Sequence, residues 1–266
     1  MRGQRPPVRA GATAALALQN SLLPMRLPAR HAVEAAFSCP PGHAGGLWYD
    51  VFPLSGARVA LTVGDVAGHG MRAVATMGRL RAATHSLAAL DLAPDEVLAH
   101  LDDLMVRLAE EGREVPGTEP LNGRPTTATC VYAVYDPVSR RLDVARAGHP
   151  APLLTHPDGR ARSAGAPAGS PLGGDGLPFE TWETHLPEGS LIALYTRGSW
   201  AGPRGRDGAA AAHHRPAALE RPGGMRRGDL LRAVRAARGG RGARDRAHAR
   251  PCTRTRSPPG PSPATP

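Results

Sequence analysis

The pattern of apolar and polar positions divides the chain into predicted helices and strands. Apolar residues spaced three to four apart predict helices over residues 12–23 and 71–90, and a third helix that begins after Pro94 and runs through Leu108. Short apolar segments bounded by turn residues predict strands over residues 33–39, 48–54, 58–63, 127–135, 142–147, 152–155, 179–185 and 190–196.

The order of these elements predicts the fold class. Several strands, two consecutive helices and several further strands are typical of an α+β domain with mostly antiparallel sheets. Each sheet must bury one face, so we expect a sandwich of two sheets flanked by helices. We find no apolar closing strand after residue 196, which predicts that the C-terminal part of this fold is incomplete.

The charge distribution separates a near-neutral part from a basic tail. The formal net charge is +10, and all 33 basic residues are arginine. Residues 1–196 hold 17 arginines against 19 Asp and Glu, whereas residues 197–266 hold 16 against 4. The tail is too poor in large apolar residues to form a core, so we expect it to be disordered apart from one short helix around Leu230, Leu231 and Val234.

These observations predict three regions and a cellular location. The regions are a disordered N-terminal extension over residues 1–17, a domain over residues 18–196 and a disordered tail over residues 197–266. Cys39, Cys130 and Cys252 fit neither a disulfide framework nor a zinc pattern. No apolar segment approaches the ~18 residues needed to span a bilayer, and residues 12–23 lack a signal cleavage site. We expect a soluble, cytoplasmic protein with no membrane partner.

Asp65 is the first candidate for chemistry. It follows an apolar segment and opens the glycine-rich run Gly64-Asp-Val-Ala-Gly-His-Gly70, which predicts a carboxylate at a strand end beside a flexible turn. Such a carboxylate offers a hard oxygen ligand to Mg²⁺ or Mn²⁺. A turn-forming aspartate is the alternative interpretation, and His69 is interpreted as a turn residue.

Five segments follow one another in a characteristic order: Leu18-Gln-Asn-Ser-Leu-Leu-Pro24, Gly45-Gly-Leu-Trp-Tyr-Asp50, Gly64-Asp-Val-Ala-Gly-His-Gly70, Thr127-Ala-Thr-Cys130 and Ala147-Gly-His-Pro150. Together they resemble the bacterial PPM-type (PP2C-like) serine/threonine phosphatases of the SpoIIE and RsbU group. The resemblance implies an α-β-β-α sandwich and hydrolysis of phosphoserine or phosphothreonine on regulatory proteins such as anti-sigma-factor antagonists. It also implies two Mn²⁺ or Mg²⁺ ions, held mainly by aspartates, that activate water.

The resemblance implies metal ligands at Asp65 and at the backbone carbonyl of Val66. It places further aspartates where this chain has Leu47 and Arg197, and another in an Asp-Asp pair that we do not find in the tail. Because leucine removes a charged ligand and arginine brings a permanent cation, most of the metal affinity is expected to be lost. Asp50 lies three residues beyond Leu47, which reverses its face on a strand, so we do not expect it to substitute.

Other polar residues have structural interpretations. We interpret His149 as a structural residue that positions a loop near the site. Of Trp48 and Tyr49, which are adjacent on a strand, we expect one to lie in the core. We interpret four carboxylates on or just after the third helix as solvated charges: Asp102, Asp103, Glu110 and Glu111.

Two functions fit the sequence best. The first is a metal-dependent serine/threonine phosphatase whose activity is impaired, and the second is an inactive pseudophosphatase that binds a phosphorylated regulator such as an anti-sigma-factor antagonist. Polyanion binding by the arginine-rich tail is a third possibility, but no nucleic-acid reading element accompanies it. The abrupt change at residue 197 also fits a reading-frame shift in a GC-rich gene, which resequencing would test.

Overall fold

The computed structural model describes residues 7–24, 33–36, 45–114, 126–174, 176–196 and 232–236. Within these ranges the chain forms three helices and ten strands. The helices are α1 (Pro7–Leu22), α2 (Met71–Ala88) and α3 (Pro94–Glu114). The strands are β1 (Val33–Ala36), β2 (Gly45–Pro53), β3 (Val59–His69), β4 (Ala128–Asp136), β5 (Arg141–Ala147), β6 (Leu153–Thr155), β7 (Ala161–Ser163), β8 (Trp182–His185), β9 (Leu191–Leu194) and β10 (Arg232–Ala236).

The strands form two antiparallel sheets. The first sheet has the order β2-β3-β4-β5-β8, and the second has the order β1-β10-β9-β6-β7. Helices α2 and α3 pack on the first sheet, and α1 packs on α2 and β2. The α+β prediction with two antiparallel sheets and flanking helices is therefore confirmed. The prediction of a helical layer on the second sheet, as in the α-β-β-α order, falls outside the described residues.

Strand alternation distributes the core between two layers. On β3, Ala60 and Val66 face the helices, whereas Leu61 and Val63 face the second sheet. The first sheet is thus covered on both faces. This explains why Trp48 and Tyr49 are both buried, at 0% and 4% exposure, although we expected only one in the core.

Strand β3 extends further than its sequence predicts. The glycine-rich run was expected to be a turn after Asp65, but the strand continues to His69. Strand β2 also begins earlier, at Gly45, and pairs with this extension through Gly46↔Val66 and, beyond a bulge, Gly45↔His69. Backbone pairing with a neighbouring strand therefore overrides the local turn preference of glycine.

Two segments near the chain ends differ from the elements that we predicted. Helix α1 begins at Pro7 rather than at residue 12, and it buries Ala15 completely. In the tail, β10 forms a strand where we expected a helix, and it pairs with both β1 and β9. A closing strand of the second sheet is therefore present. The prediction of disorder for the remaining tail lies outside the described residues.

None of the helices in the described ranges has both the length and the apolar character needed to cross a bilayer.

The buried thiol of Cys130 provides a test of the core. Burial raises its pKa to about 12, and only a hydrogen bond with Thr62 opposes this effect. Because a pKa of about 12 lies far above the ordinary thiol value, the thiolate fraction near pH 8 falls by about 10³. We expect Cys130 to react with iodoacetamide at least about 10³-fold more slowly in the native chain than in urea, as measured by peptide mass spectrometry. Equal rates would contradict this packing.

Candidate functional site

Three residues on adjacent strands of the first sheet form a row around Asp65. Leu47 on β2 and Thr129 on β4 are the register partners of Asp65 on β3, and we call these three residues the Asp65 row. The next partners on the same face, Tyr49 and Val63, belong to the core between the sheets. Because side chains alternate along a strand, the Asp65 row faces the second sheet at the edge of that core. Asp65 itself is exposed.

The Asp65 row contains one carboxylate. Leu47, where the resemblance implies an aspartate, lies directly opposite Asp65. The side chain of Val66 is buried toward the helices, so only its backbone carbonyl is available beside Asp65. Across the described residues, no group of three or more His, Cys, Asp or Glu side chains is arranged to hold a metal ion. This donor set does not fit a pair of divalent metal ions. Arg197 lies outside the described residues.

Asp50 faces away from the Asp65 row, as the residue count from Leu47 predicts. Its carboxylate is 4% exposed, forms an ion pair with Arg81 at 2.6 Å and accepts a hydrogen bond from the Val51 backbone N–H at 2.9 Å. His85 Nε2 lies 2.7 Å from the same carboxylate, and the His85 ring stacks on Phe52. Asp50 therefore attaches α2 to β2 on the helical side of the sheet, and it does not lie beside Asp65.

Replacing Asp50 tests this attachment. We expect Asp50→Ala to lower the free energy of unfolding by about 2 kcal/mol or more, because it leaves Arg81 partly buried without its partner. Glu111→Ala is a matched control, since Glu111 forms an ion pair with Arg79 whose side chains are 65% and 60% exposed. That variant should change stability by less than about 0.5 kcal/mol. Urea denaturation measures both, and equal effects would argue against a structural role for Asp50.

Gln19 on α1 holds the start of β2, a role that the sequence analysis missed. Its side chain is 3% exposed. The amide Nε2 donates to the Leu47 carbonyl at 3.3 Å, and Oε1 accepts from the Gly45 N–H at 3.0 Å. A single amide thus satisfies two backbone groups on the edge of the first sheet. The available signal was the polar run Gln19-Asn20-Ser21 within an apolar helical stretch.

The two remaining candidate histidines behave differently. His69 is exposed at the end of β3. His149 is 2% exposed, and its ring contacts the Thr129 hydroxyl and the Tyr195 carbonyl at 3.0 Å each. This agrees with its interpretation as a structural residue near the site.

Of the four carboxylates on or just after α3 that we expected to be solvated, three lie at the surface. Asp103 and Glu110 are exposed, and Glu111 pairs with Arg79 at the surface. Asp102 departs from the expectation because its carboxylate accepts a hydrogen bond from the Gly173 N–H at 2.6 Å. It attaches the loop after β7 to α3, a long-range contact that helix periodicity could not indicate.

Gly64, which precedes Asp65, is required by close packing. A Cβ atom at this position would lie 2.1 Å from Cη2 of Trp48, which is fully buried. We expect Gly64→Ala to lower the free energy of unfolding by about 1–3 kcal/mol through overpacking. Gly45→Ala on the neighbouring strand is the matched control, because a Cβ atom there meets nothing within 4 Å. Thermal unfolding measures both variants, and a tolerated Gly64→Ala would contradict the packing of Trp48.

The stacked antiparallel sheets, the helices on the first sheet and the aspartate at the edge of the core form the architecture that the resemblance to PP2C-like phosphatases implies. The sequence matches the family described as Stage II sporulation protein E (SpoIIE) over residues 55–247, which is more than half of the chain. The chain belongs to this family. The matched range continues past residue 196, where we placed the end of the domain.

Solved structures agree with this assignment. The RsbU and RsbW domains of a Mycobacterium tuberculosis protein are 30% identical, with a TM-score of 0.53 over 67% of this chain. This chain spans 47% of that one, which is about half of its length. The PP2C domain of SiaA from Pseudomonas aeruginosa (18% identity, TM-score 0.52, 70% of each chain) shares the fold. RsbX solved in complex with magnesium (13% identity, TM-score 0.52, 67% of this chain and 80% of that one) also shares it.

Proposed function

We propose that this domain is a pseudophosphatase of the SpoIIE family, which binds a phosphorylated regulatory protein and does not hydrolyse it by the two-metal route. One observation carries the proposal: Leu47 lies opposite Asp65, where a second carboxylate is needed. Two divalent ions about 4 Å apart repel each other strongly unless anionic ligands surround them. The described residues supply one such ligand at this face.

The proposal concerns the chemistry that two metal ions supply to phosphate hydrolysis. In this fold, Mn²⁺ or Mg²⁺ would activate water and neutralise charge on the phosphoryl group. Asp65 and the carbonyl of Val66 are the groups that would contact such an ion. Leu47 and, by its position in the sequence, Arg197 replace two of the remaining ligands with an alkyl group and a cation.

The proposed partner is a phosphorylated regulatory protein, such as an anti-sigma-factor antagonist, in the cytoplasm. The likeness to the RsbU domain of the M. tuberculosis protein supports a partner of this kind. A phosphate group carries close to two negative charges near pH 7 and accepts several hydrogen bonds, so a protein can recognise it without metal. Neither a membrane nor a nucleic acid is required.

A weak metal-dependent phosphatase is the alternative function. It is favoured by the retention of Asp65, the carboxylate at the position where the resemblance implies a metal ligand. The two functions differ in whether Mn²⁺ increases turnover by the unmodified chain.

Replacing Leu47 and Arg197 with aspartate distinguishes these two functions. We expect the unmodified chain to show neither Mn²⁺-stimulated hydrolysis of p-nitrophenyl phosphate nor Mn²⁺ binding by calorimetry. The variant Leu47→Asp/Arg197→Asp should bind Mn²⁺, because register partners in an antiparallel sheet have Cα atoms about 4.5–5.5 Å apart and residues 47 and 65 would then form a carboxylate pair. Its Mn²⁺-dependent hydrolysis should exceed that of the unmodified chain by at least about tenfold.

Asp65→Asn in the restored variant is the control and should remove both gains. Turnover by the unmodified chain that requires Mn²⁺ and is lost in Asp65→Ala would instead establish the phosphatase. For the binding function, calorimetry in EDTA should detect the phosphorylated antagonist and not its unphosphorylated form. Equal binding of the two forms would exclude phosphate recognition.

A further inference from the structure

A buried histidine connects the two sheets beside the Asp65 row. His149 follows β5 of the first sheet, and its Nδ1 lies 3.0 Å from Oγ1 of Thr129 on β4. On the other side of the ring, Nε2 lies 3.0 Å from the backbone carbonyl oxygen of Tyr195, just after β9 of the second sheet. The imidazole therefore links a side chain of one sheet to the backbone of the other.

Hydrogen-bond chemistry assigns the protons in this link. A carbonyl oxygen only accepts, so Nε2 of His149 carries a proton and donates it to Tyr195. In the neutral imidazole Nδ1 is then an acceptor, and the Thr129 hydroxyl donates to it. Both ring nitrogens are engaged, so the ring cannot rotate without breaking two hydrogen bonds in a site that is 2% exposed.

The backbone of His149 is also held. The Arg146 guanidinium donates to the His149 carbonyl at 2.8 Å and to the Ala166 carbonyl through Nε at 2.9 Å. Gly148, with φ at +63°, makes the turn that separates β5 from His149. Arg146 also lies near the Tyr195 phenol, where its charge opposes the rise in the Tyr195 pKa that burial causes. The imidazole is thus attached to a rigid backbone.

The link connects the Asp65 row to the end of β9. Thr129 is the register partner of Asp65, and the Tyr195 carbonyl follows β9 of the second sheet. The backbone hydrogen bonds of each sheet run within that sheet, so strand pairing alone does not fix the separation of β4 from the end of β9. His149 spans this separation with one side chain.

We propose that His149 and Thr129 are positioning residues, which hold the Tyr195–Thr196 backbone against the Asp65 row and thereby shape the phosphoprotein site. This inference rests on the proposed function for its ligand, but the link itself can be tested without a ligand. A purely structural role would stabilise the domain without affecting the site.

Two substitutions at Thr129 separate these roles. Thr129→Val keeps the shape and removes the hydroxyl, whereas Thr129→Ser keeps the hydroxyl. We expect Thr129→Val to increase hydrogen exchange at least about tenfold in the peptide that contains Tyr195 and Thr196, and to weaken binding of the phosphorylated antagonist at least about tenfold. Thr129→Ser should restore both. Nitrogen-15 NMR of His149 should show protonated Nε2 and unprotonated Nδ1 in the unmodified chain.

Thr181→Val is the matched control, because the Thr181 hydroxyl donates to Asp95 at 2.5 Å at the start of α3. It should lower thermal stability without changing exchange at Tyr195 and Thr196. Unchanged exchange in Thr129→Val overturns the proposed link. Faster exchange with unchanged binding leaves a structural link and overturns the positioning role.

If the unmodified chain binds no phosphoprotein, the proposed function fails while the positioning role can still be decided. The probe is then Mn²⁺ alone, titrated into the variant Leu47→Asp/Arg197→Asp. Adding Thr129→Val should lower its Mn²⁺ affinity at least about tenfold, whereas adding Thr129→Ser should not. Equal affinities overturn the positioning role.

Discussion

The pairing of β3 with β2 on one side and β4 on the other is the constraint on which the rest of the structure depends. Because side chains alternate along a strand, one register determines which residues face the helices and which face the second sheet. Leu61 and Val63 enter the core between the sheets, so Asp65 must point to the same side. A slip of one residue would move these apolar side chains and Asp65 to the opposite face together.

The same constraint explains why the nearest carboxylate on β2 does not lie beside Asp65. Asp50 and Leu47 differ by an odd number of residues, so Asp50 faces α2, where Arg81 and His85 hold it. Bringing Asp50 to the other face would require β2 to change register and would leave Arg81 without its carboxylate partner. The register of β2 and the ion pair with Arg81 therefore both keep Asp50 on the helical face of the sheet.

Sequence patterns predicted the elements that depend on neighbouring residues. They failed for elements and contacts that depend on residues far apart in the sequence. The periodicity of α2 and α3 and the apolar runs of β4 and β5 were sufficient to find them. Strand β10 was missed because its sequence contains two arginines among three small or β-branched residues, and its strand form depends on β1 and β9. The contacts of Gln19 and Asp102 likewise join residues 26 to 71 positions apart, which no window of sequence can reveal.

The core between the sheets is separate from the Asp65 row, so the fold does not depend on which residue occupies position 47. The interior between the sheets is filled by apolar residues such as Val63 and Val131, one layer further from the edge. Two carboxylates facing each other at residues 47 and 65 would repel each other without a bound cation, whereas Leu47 removes that repulsion and adds apolar surface. A leucine at position 47 is therefore compatible with a stable metal-free domain, as the proposed function requires. The buried link through His149 does not involve residue 47, so the position of the Tyr195 backbone beside Thr129 does not require a carboxylate there.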